Sequence, residues 1–439
     1  MTEGNPASLI VSFALPLIVA NLGQQLYMIV DAIIVGKGIG VEALASVGAT
    51  DWSYWMILWA VQAMTQGFAI SISHRFGEGN GGQLKKTVAM SVRLCLVIGA
   101  LLTAVCMLFA KPLLQLLRTP DDIFHGAFSY LLTMFAGNLV VIAYNMASSI
   151  LRALGDSKTP LTAILFAAAV NIVLDLLFVL VFHMGIVGAA VATVTAQFLA
   201  FLYCFHALKR LEQLKLKKED WRADREIIRN QCRLGIPLAL QNMLIAVGGM
   251  ILQSVINEQG FVFIAGFTAT NKIMGLLESA GISIGYAVTT YVAQNYGAGF
   301  YGRIRKGLKS AVFFSVALSA CISIAMVFSG RMVLSLFIDH SDPNAAQVLD
   351  VAYQYLFIIS CLLSSLYLLH VFRNTLQSLG NAFAPFLSGL VEFVARVSIA
   401  CIGARFLGAW ILFFSEPAAW IGAALLLAVF CLRAIKHLK

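Results

Sequence analysis

The sequence predicts an all-α integral membrane protein: twelve transmembrane helices in two pseudo-symmetric six-helix lobes. Three observations carry this. Apolar residues make up 60% of the 439-residue chain and charged residues 12%, whereas a soluble domain carries about 25% charge. Runs such as 161–181 and 311–327 are long enough to cross a hydrocarbon core, which takes roughly 20 helical residues. These runs lack the alternation of a membrane β-strand, so helices are the structures that can satisfy their backbone in lipid. Third, the chain repeats itself.

The repeat is written in short motifs. Leu151, Leu154, Gly155 and Asp156 precede Pro160; Leu376, Leu379, Gly380 and Asn381 precede Pro385. Phe76, Gly77 and Gly79 echo as Tyr296, Gly297 and Gly299, each followed by basic residues, and Pro16 echoes as Pro237. Three matches in the same order, at offsets of 220 to 225 residues, mean one duplicated unit. In a chain this apolar, a duplicated half is expected of a transporter whose halves surround a central cavity.

The spans are expected near 8–36, 43–75, 87–110, 122–151, 160–182, 186–208, 230–257, 261–294, 307–329, 345–375, 385–405 and 408–432. The first is read as an uncleaved span, because no basic segment precedes it. The lobes are then 1–208 and 230–439, with 209–229 a solvated, partly helical linker of mixed charge. Placing the termini on one face gives that face 23 of the 30 Lys and Arg residues, Arg373 among them. Both termini are thus expected in the cytoplasm, and the formal charge of +9 reads as a topology signal rather than a nucleic-acid surface. The eight cysteines are scattered, with no spacing that suggests zinc or a disulfide framework.

Ionisable groups within a span are costly, by about 2.5–3.5 kcal/mol on insertion scales, and are the first functional candidates. Here they are Asp31, Asp175, Lys272, Glu278, Glu392, Arg396 and Glu416. Counting along spans 1, 5 and 6 places Asp31, Asp175 and Thr193 in the outer half of the first lobe. Asn171 lies one turn from Asp175 on the same face. Two carboxylates, an amide and a hydroxyl form a hard-oxygen set that suits Na⁺, or a pair of carboxyls sharing a proton; interhelical hydrogen bonding is the plainer alternative. Glu392 and Arg396 are four apart and read as an intrahelical ion pair. Lys272 and Glu278 do not share a face, so their partners are left to other helices. Glu416 precedes Pro417, which leaves a bend and a protonation site equally open. Pro16 removes one rung from span 1, below a polar stripe of Gln24, Tyr27 and Asp31.

At this point the chain resembles the multidrug and toxic compound extrusion (MATE) transporters over essentially its whole length. Carrying the resemblance are Pro16, Gln24, Tyr27 and Asp31, the stretches 35–40, 43–48, 75–80, 151–160 and 185–193, the Asn171–Asp175 pair, and 294–299. Each is weak alone; their order and spacing are specific. The resemblance implies export of cationic or amphipathic compounds against H⁺ or Na⁺, with no cofactor, by a monomer in the plasma membrane. It implies a cation site at Asp31, Asn171, Asp175 and Thr193, cavity positions at Gln24, Tyr27 and Asn145, and Pro16 as a hinge. The branch that couples through its second lobe carries an acid in span 7, and 237–256 has none. A lipid-linked precursor flippase of the same superfamily would call for a more basic cavity, and a major-facilitator protein for loop motifs that are absent. An intramembrane enzyme would need a nucleophile or a His/Asp pair at one depth, and the histidines sit mostly at span ends.

Overall fold

The computed structural model describes residues 1–117, 119–338 and 343–438, apart from the side chains of Leu26, Tyr27, Ile29 and Val41. The first repeat runs through α1 (Pro6–Gly38), α2 (Val41–Gly77), α3 (Gly81–Leu116), α4 (Asp121–Ala136), α5 (Asn138–Ala153), α6 (Lys158–Asp175) and α7 (Gly185–Arg210). The second runs through α8 (Arg225–Ile256), α9 (Phe261–Gly297), α10 (Tyr301–Ser335), α11 (Ala345–Cys361), α12 (Leu363–Ser378), α13 (Phe383–Ser398), a short α14 (Ala404–Leu407) and α15 (Ser415–His437). Among the described residues, ten helical segments are long and apolar enough to span a membrane. The expected spans 122–151 and 345–375 are not single helices. Each is a pair, α4–α5 and α11–α12, bent by 45° and 47°, and the total is twelve when each pair counts as one span.

The duplicated motifs are duplicated backbone. Gly155 and Gly380 both end a helix at positive φ, +96° and +83°, where a side chain would be strained. The next residue reaches back in the same way in each copy: Asp156 N to Leu151 O at 2.9 Å, and Asn381 N to Leu376 O at 3.0 Å. The two side chains then cap the following helix, Asp156 Oδ1 accepting from Thr159 N and Asn381 Oδ1 from Ala384 N, each at 3.0 Å. The fifth span of each repeat also widens into a π-helical stretch, Leu176–Val181 after α6 and Ile399–Gly403 after α13.

Two compact units result, one of Val19–Ala239 and one of Met1–Ile18 with Leu240–Lys439. These divide the chain elsewhere than the sequence-derived lobes: α1 and α8 are each shared, and each changes unit just after its internal proline, Pro16 or Pro237. In the first unit, Val61, Met64, Phe68 and Ile72 of α2 pack on α3 and α5, and small residues close α5, α6 and α7 around Ala147, Ala163, Ala167, Ala196 and Ala200, the packing that membranes favour. The head of α8 docks here. Gly67 and Gly235 bring α2 and α8 so close that a Cβ on Gly67 would lie 2.6 Å from the Gly235 Cα, and Gln231 donates to Thr87 O at 3.0 Å and Ser91 Oγ at 2.6 Å. The segment read as a solvated linker is likewise anchored, with Ile227 buried on Ala89 and Met90 of α3.

In the second unit, a stack of Phe263, Phe413, Tyr355 and Phe267, with centroids 4.3 to 5.5 Å apart, ties α9, α11 and the 3₁₀ turn Ala409–Phe414. The head of α1 belongs to this core through Ile10, Phe13, Ala14 and Leu17. Met1 O accepts from Asn295 Nδ2 at 3.2 Å.

Candidate functional site

In the first unit, α6 starts from the Asp156 cap and carries Asn171 and Asp175 one turn apart on one face, both almost fully buried. Asn171 Nδ2 donates to Thr193 Oγ1 on α7 at 3.4 Å. Asp31 enters on α1, and its carboxyl lies near that of Asp175. The predicted set of Asp31, Asn171, Asp175 and Thr193 is therefore brought together by three helices. Immediately past Asp175 the backbone opens into the π-helical stretch, a local widening that recurs at functional positions.

The hydrogen-bond inventory of this cluster is incomplete in one direction. Asp31 Oδ1, Asn171 Oδ1 and both carboxylate oxygens of Asp175 are buried and receive no hydrogen bond from the described residues. A buried acceptor without a donor costs about 1–3 kcal/mol, more when charged, so four in one place call for a physical reason. What they lack is positive: a proton shared between the carboxyls, or a small hard cation that takes oxygen ligands. The donor set fits either.

The expected cavity positions are less concentrated. Gln24 is half-buried on α1. Asn145 is buried but spends its amide on Val141 O, 2.8 Å away in its own helix. The Tyr27 side chain lies outside the described residues.

The buried charges of the second unit are arranged differently from expectation. Glu392 and Arg396 are not simply an intrahelical pair, their closest approach being 3.5 Å. Glu392 is held at hydrogen-bond contact by Arg373 of α12, and Arg396 grips both oxygens of Glu416 at 2.9 and 2.7 Å. The result is a ladder of alternating charge, Arg373–Glu392–Arg396–Glu416, across α12, α13 and α15. Arg373, assigned from sequence to the cytoplasmic face, lies on α12 beyond the bend at Leu362 and is buried at 8% exposure. Glu416 and Pro417 lie in the first turn of α15, where proline is tolerated without a kink, so their pairing marks a helix start rather than a bend. Lys272 is exposed rather than buried. Glu278 pairs loosely with His370, Oε1 to Nε2 3.8 Å, and His370 lies within α12 rather than at a span end.

A family model described as MatE matches the chain twice, over residues 16–177 and 237–402. The two matches begin at Pro16 and Pro237, the internal prolines of α1 and α8. "Probable multidrug resistance protein YpnP" of Bacillus subtilis (strain 168) is 30% identical over 351 residues, covering 78% of this chain and 77% of that protein. "Probable multidrug resistance protein NorM" of Thermotoga maritima is 24% identical over 422 residues, covering 92% of this chain and 88% of its own length. The solved structure of a MOP superfamily transporter from Pyrococcus furiosus has the same fold, with a TM-score of 0.93 at 22% identity, covering 100% of this chain and 98% of that one.

Proposed function

The chain belongs to the MatE family of multidrug efflux transporters, and from that premise we propose that it exports cationic or amphipathic small molecules in exchange for H⁺ or Na⁺. As a transporter it catalyses no covalent chemistry, so its work is to bind two ligands in alternation. The observation that carries the coupling assignment is the group of four buried oxygens on Asp31, Asn171 and Asp175 to which no described residue donates. Such a group is stable when a cation or proton is present and strained when it is not. The ion's affinity can therefore be spent on changing the packing of α1 against α6.

Asp31 and Asp175 would hold the exchanged charge. Asn171 and Thr193 would orient it, the Asn171 amide being committed to Thr193 so that its carbonyl oxygen points elsewhere. The exported compound would lie near Gln24, Tyr27 and Asn145. The excess of Lys and Arg on one set of loops supports cytoplasmic termini in the plasma membrane, and the protein is proposed to act as a monomer. Reconstitution in proteoliposomes, with a proton gradient and a sodium gradient imposed separately, tests the proposal. Export of a fluorescent cation should be driven by one of them; export driven by neither would sink the antiport reading.

A further inference from the structure

The segment joining the repeats is two-sided. Its leucines turn inward: Leu211 packs on the small-residue core of α5, α6 and α7, Leu214 on the core that α2, α3 and α5 share, and Leu216 beside Ile227 and Ile228 against Ala89 and Met90 of α3. Its bases turn outward. Residues 209–233 hold nine Lys and Arg against five Asp and Glu, and all nine bases are exposed. Three of the acids are already engaged. Glu212 faces Lys215 at 2.8 Å, Asp220 accepts from Lys217 N at 2.7 Å, and Asp224 accepts from Glu226 N and Ile227 N at 3.1 and 3.2 Å at the start of α8. Among the described residues, Lys215 is the one base of this stretch in an ion pair.

Three helices fix how deep this face sits. On α7, Leu202, Tyr203 and Phe205 are exposed, and Lys209 Nζ lies over the Phe205 ring, 4.7 Å from its centroid. On α8, the exposed residues along one face change from Arg229 and Arg233 to Ile236 and Leu240. On α3, exposed Arg93 stands one turn before Leu96 and Val97, which are exposed as well. Each helix thus passes from charged to apolar outer surface at the end where the linker runs, as spans do at the edge of a membrane. Trp221 reaches this boundary: its carbonyl accepts from Arg93 Nη1 at 3.5 Å, and its side chain is 40% exposed. An exposed indole beside arginines, where apolar surface begins, suits a membrane–water interface.

Packing of the repeat does not call for these bases. The offset of 220 residues that relates Gly77 to Gly297 carries Arg93 onto Phe313, which is 77% exposed. The offset of 221 that relates Pro16 to Pro237 carries Arg229 and Arg233 back onto Ser8 and Ser12, both exposed and neutral. Charge appears in one repeat only, at positions exposed in both.

We propose that Arg93, the linker and the head of α8 form a binding surface for anionic phospholipid headgroups, anchored by Trp221. The guanidinium groups of Arg93, Arg222, Arg229 and Arg233 take the headgroup phosphates, which the planar fork of arginine matches, and the indole lies at the level of the glycerol esters. Under the topology proposed above, this is the cytoplasmic leaflet, whose anionic lipids attract bases next to a span. The lipid covers the segment that joins the repeats. It also holds the head of α8 where Gly235 and Gln231 dock it on α2 and α3. A soluble anion or a soluble protein would not account for an exposed tryptophan at the start of the lipid-facing surface. The proposal does not depend on what the protein exports.

The test is native mass spectrometry of the purified full chain in a nonionic detergent, with phosphatidylglycerol or phosphatidylcholine added at equal concentration. Each base near an anionic headgroup adds about fivefold in affinity, so phosphatidylglycerol should be retained at least about tenfold more strongly. Arg93→Gln/Arg222→Gln/Arg229→Gln/Arg233→Gln should bring the two lipids within about twofold of each other. The same four positions changed to Lys should keep most of the preference, because the charge remains. Trp221→Ala should weaken retention of both lipids. Lys306→Gln/Lys309→Gln, at exposed positions near the start of α10, should change nothing, and excess glycerol phosphate should not displace the lipid. A wild type that does not distinguish the two lipids overturns the proposal and returns the basic face to water or a soluble partner. So does a preference that survives the glutamine set, or one lost equally in Lys306→Gln/Lys309→Gln, which would make net charge the cause. Displacement by glycerol phosphate would make this a site for a free anion, and unchanged retention in Trp221→Ala would remove the anchor; either result also overturns it.

Discussion

Arg396 holds both carboxylate oxygens of Glu416, at 2.9 and 2.7 Å, and these two residues stand in the second repeat where Asn171 and Thr193 stand in the first. The offset of 225 residues that relates Pro160 to Pro385 carries Asn171 onto Arg396, and the offset of 223 that relates Gly185 to Gly408 carries Thr193 onto Glu416. The contact is kept while its chemistry changes. In the first repeat a neutral amide–hydroxyl contact leaves oxygens without a donor. In the second, a guanidinium supplies the positive charge permanently. The second repeat thus holds a fixed positive charge where the first holds an amide.

A ladder of fixed charge should be more sensitive to losing one rung than two. Glu392→Gln strands Arg373 in a buried position and weakens the neighbour of Arg396, so it should cost about 3–5 kcal/mol of stability, the usual cost of leaving one partner of a buried pair alone. The double variant Arg373→Leu/Glu392→Leu removes the charge together with its partner and should recover much of that loss. Thermal unfolding midpoints in detergent measure both. Equal midpoints, with transport lost in each, would instead place the pair against the substrate.

At the first-repeat cluster, neutral isosteres separate charge from shape. Asp31→Asn and Asp175→Asn should each abolish active export in proteoliposomes while leaving expression and the elution profile unchanged. The asparagine amides can also donate to the oxygens that now lack donors, so the unfolding midpoint should hold or rise slightly. Near wild-type export by either variant would show that the two-carboxylate assignment is wrong.

How much of this could be read from the chain follows from the range of each interaction. The repeat was legible because Gly155, Asp156, Gly380 and Asn381 act locally, through left-handed φ and side-chain caps within three residues. The Asp31–Asn171–Asp175–Thr193 cluster was legible because helical rise converts sequence position into depth. The charge ladder was not, since its partners lie on three helices and no periodicity names them. The burial of Arg373 was not legible either, and the second bent span breaks at Leu362 without a glycine or proline, whereas the first breaks at Gly137. The π-helical stretch after Asp175 likewise has no local signal in Leu176–Val181.

Close approach of α2 and α8 makes opposite predictions at two glycines of one helix. A Cβ at Gly67 would meet the Gly235 backbone at 2.6 Å, whereas at Gly48 nothing lies within 4 Å. Gly67→Ala should destabilise by about 1–3 kcal/mol, as overpacking does. Gly48→Ala should be neutral or stabilising by up to about 1 kcal/mol, since it removes a glycine from a helix interior. The comparison is again of unfolding midpoints, and similar values for the two variants would mean that the α2–α8 contact gives way easily.

The last expectation concerns how α1 connects ion and substrate. The helix is shared between the two compact units, and the unit boundary at Ile18–Val19 falls just beyond Pro16, which leaves the Ser12 carbonyl without its helical donor. Gln24 and Asp31 both lie beyond that point on the same helix. If uptake of a proton or Na⁺ at Asp31 changes its attraction to Asp175, the least resistant place for α1 to respond is Pro16, and the movement carries Gln24 with it. Substrate affinity should then fall as pH drops or Na⁺ rises, and ion affinity should fall by the same factor when substrate is bound. Pro16→Ala restores the missing donor. It should leave ion binding at Asp31 nearly intact and reduce the mutual antagonism severalfold. Ethidium affinity measured at two pH values and two Na⁺ concentrations, in wild type and Pro16→Ala, reads this directly. Full antagonism in the variant would make Pro16 a packing residue only. No antagonism in wild type under either ion would remove the competition itself, and the coupling role of Asp31 would go with it.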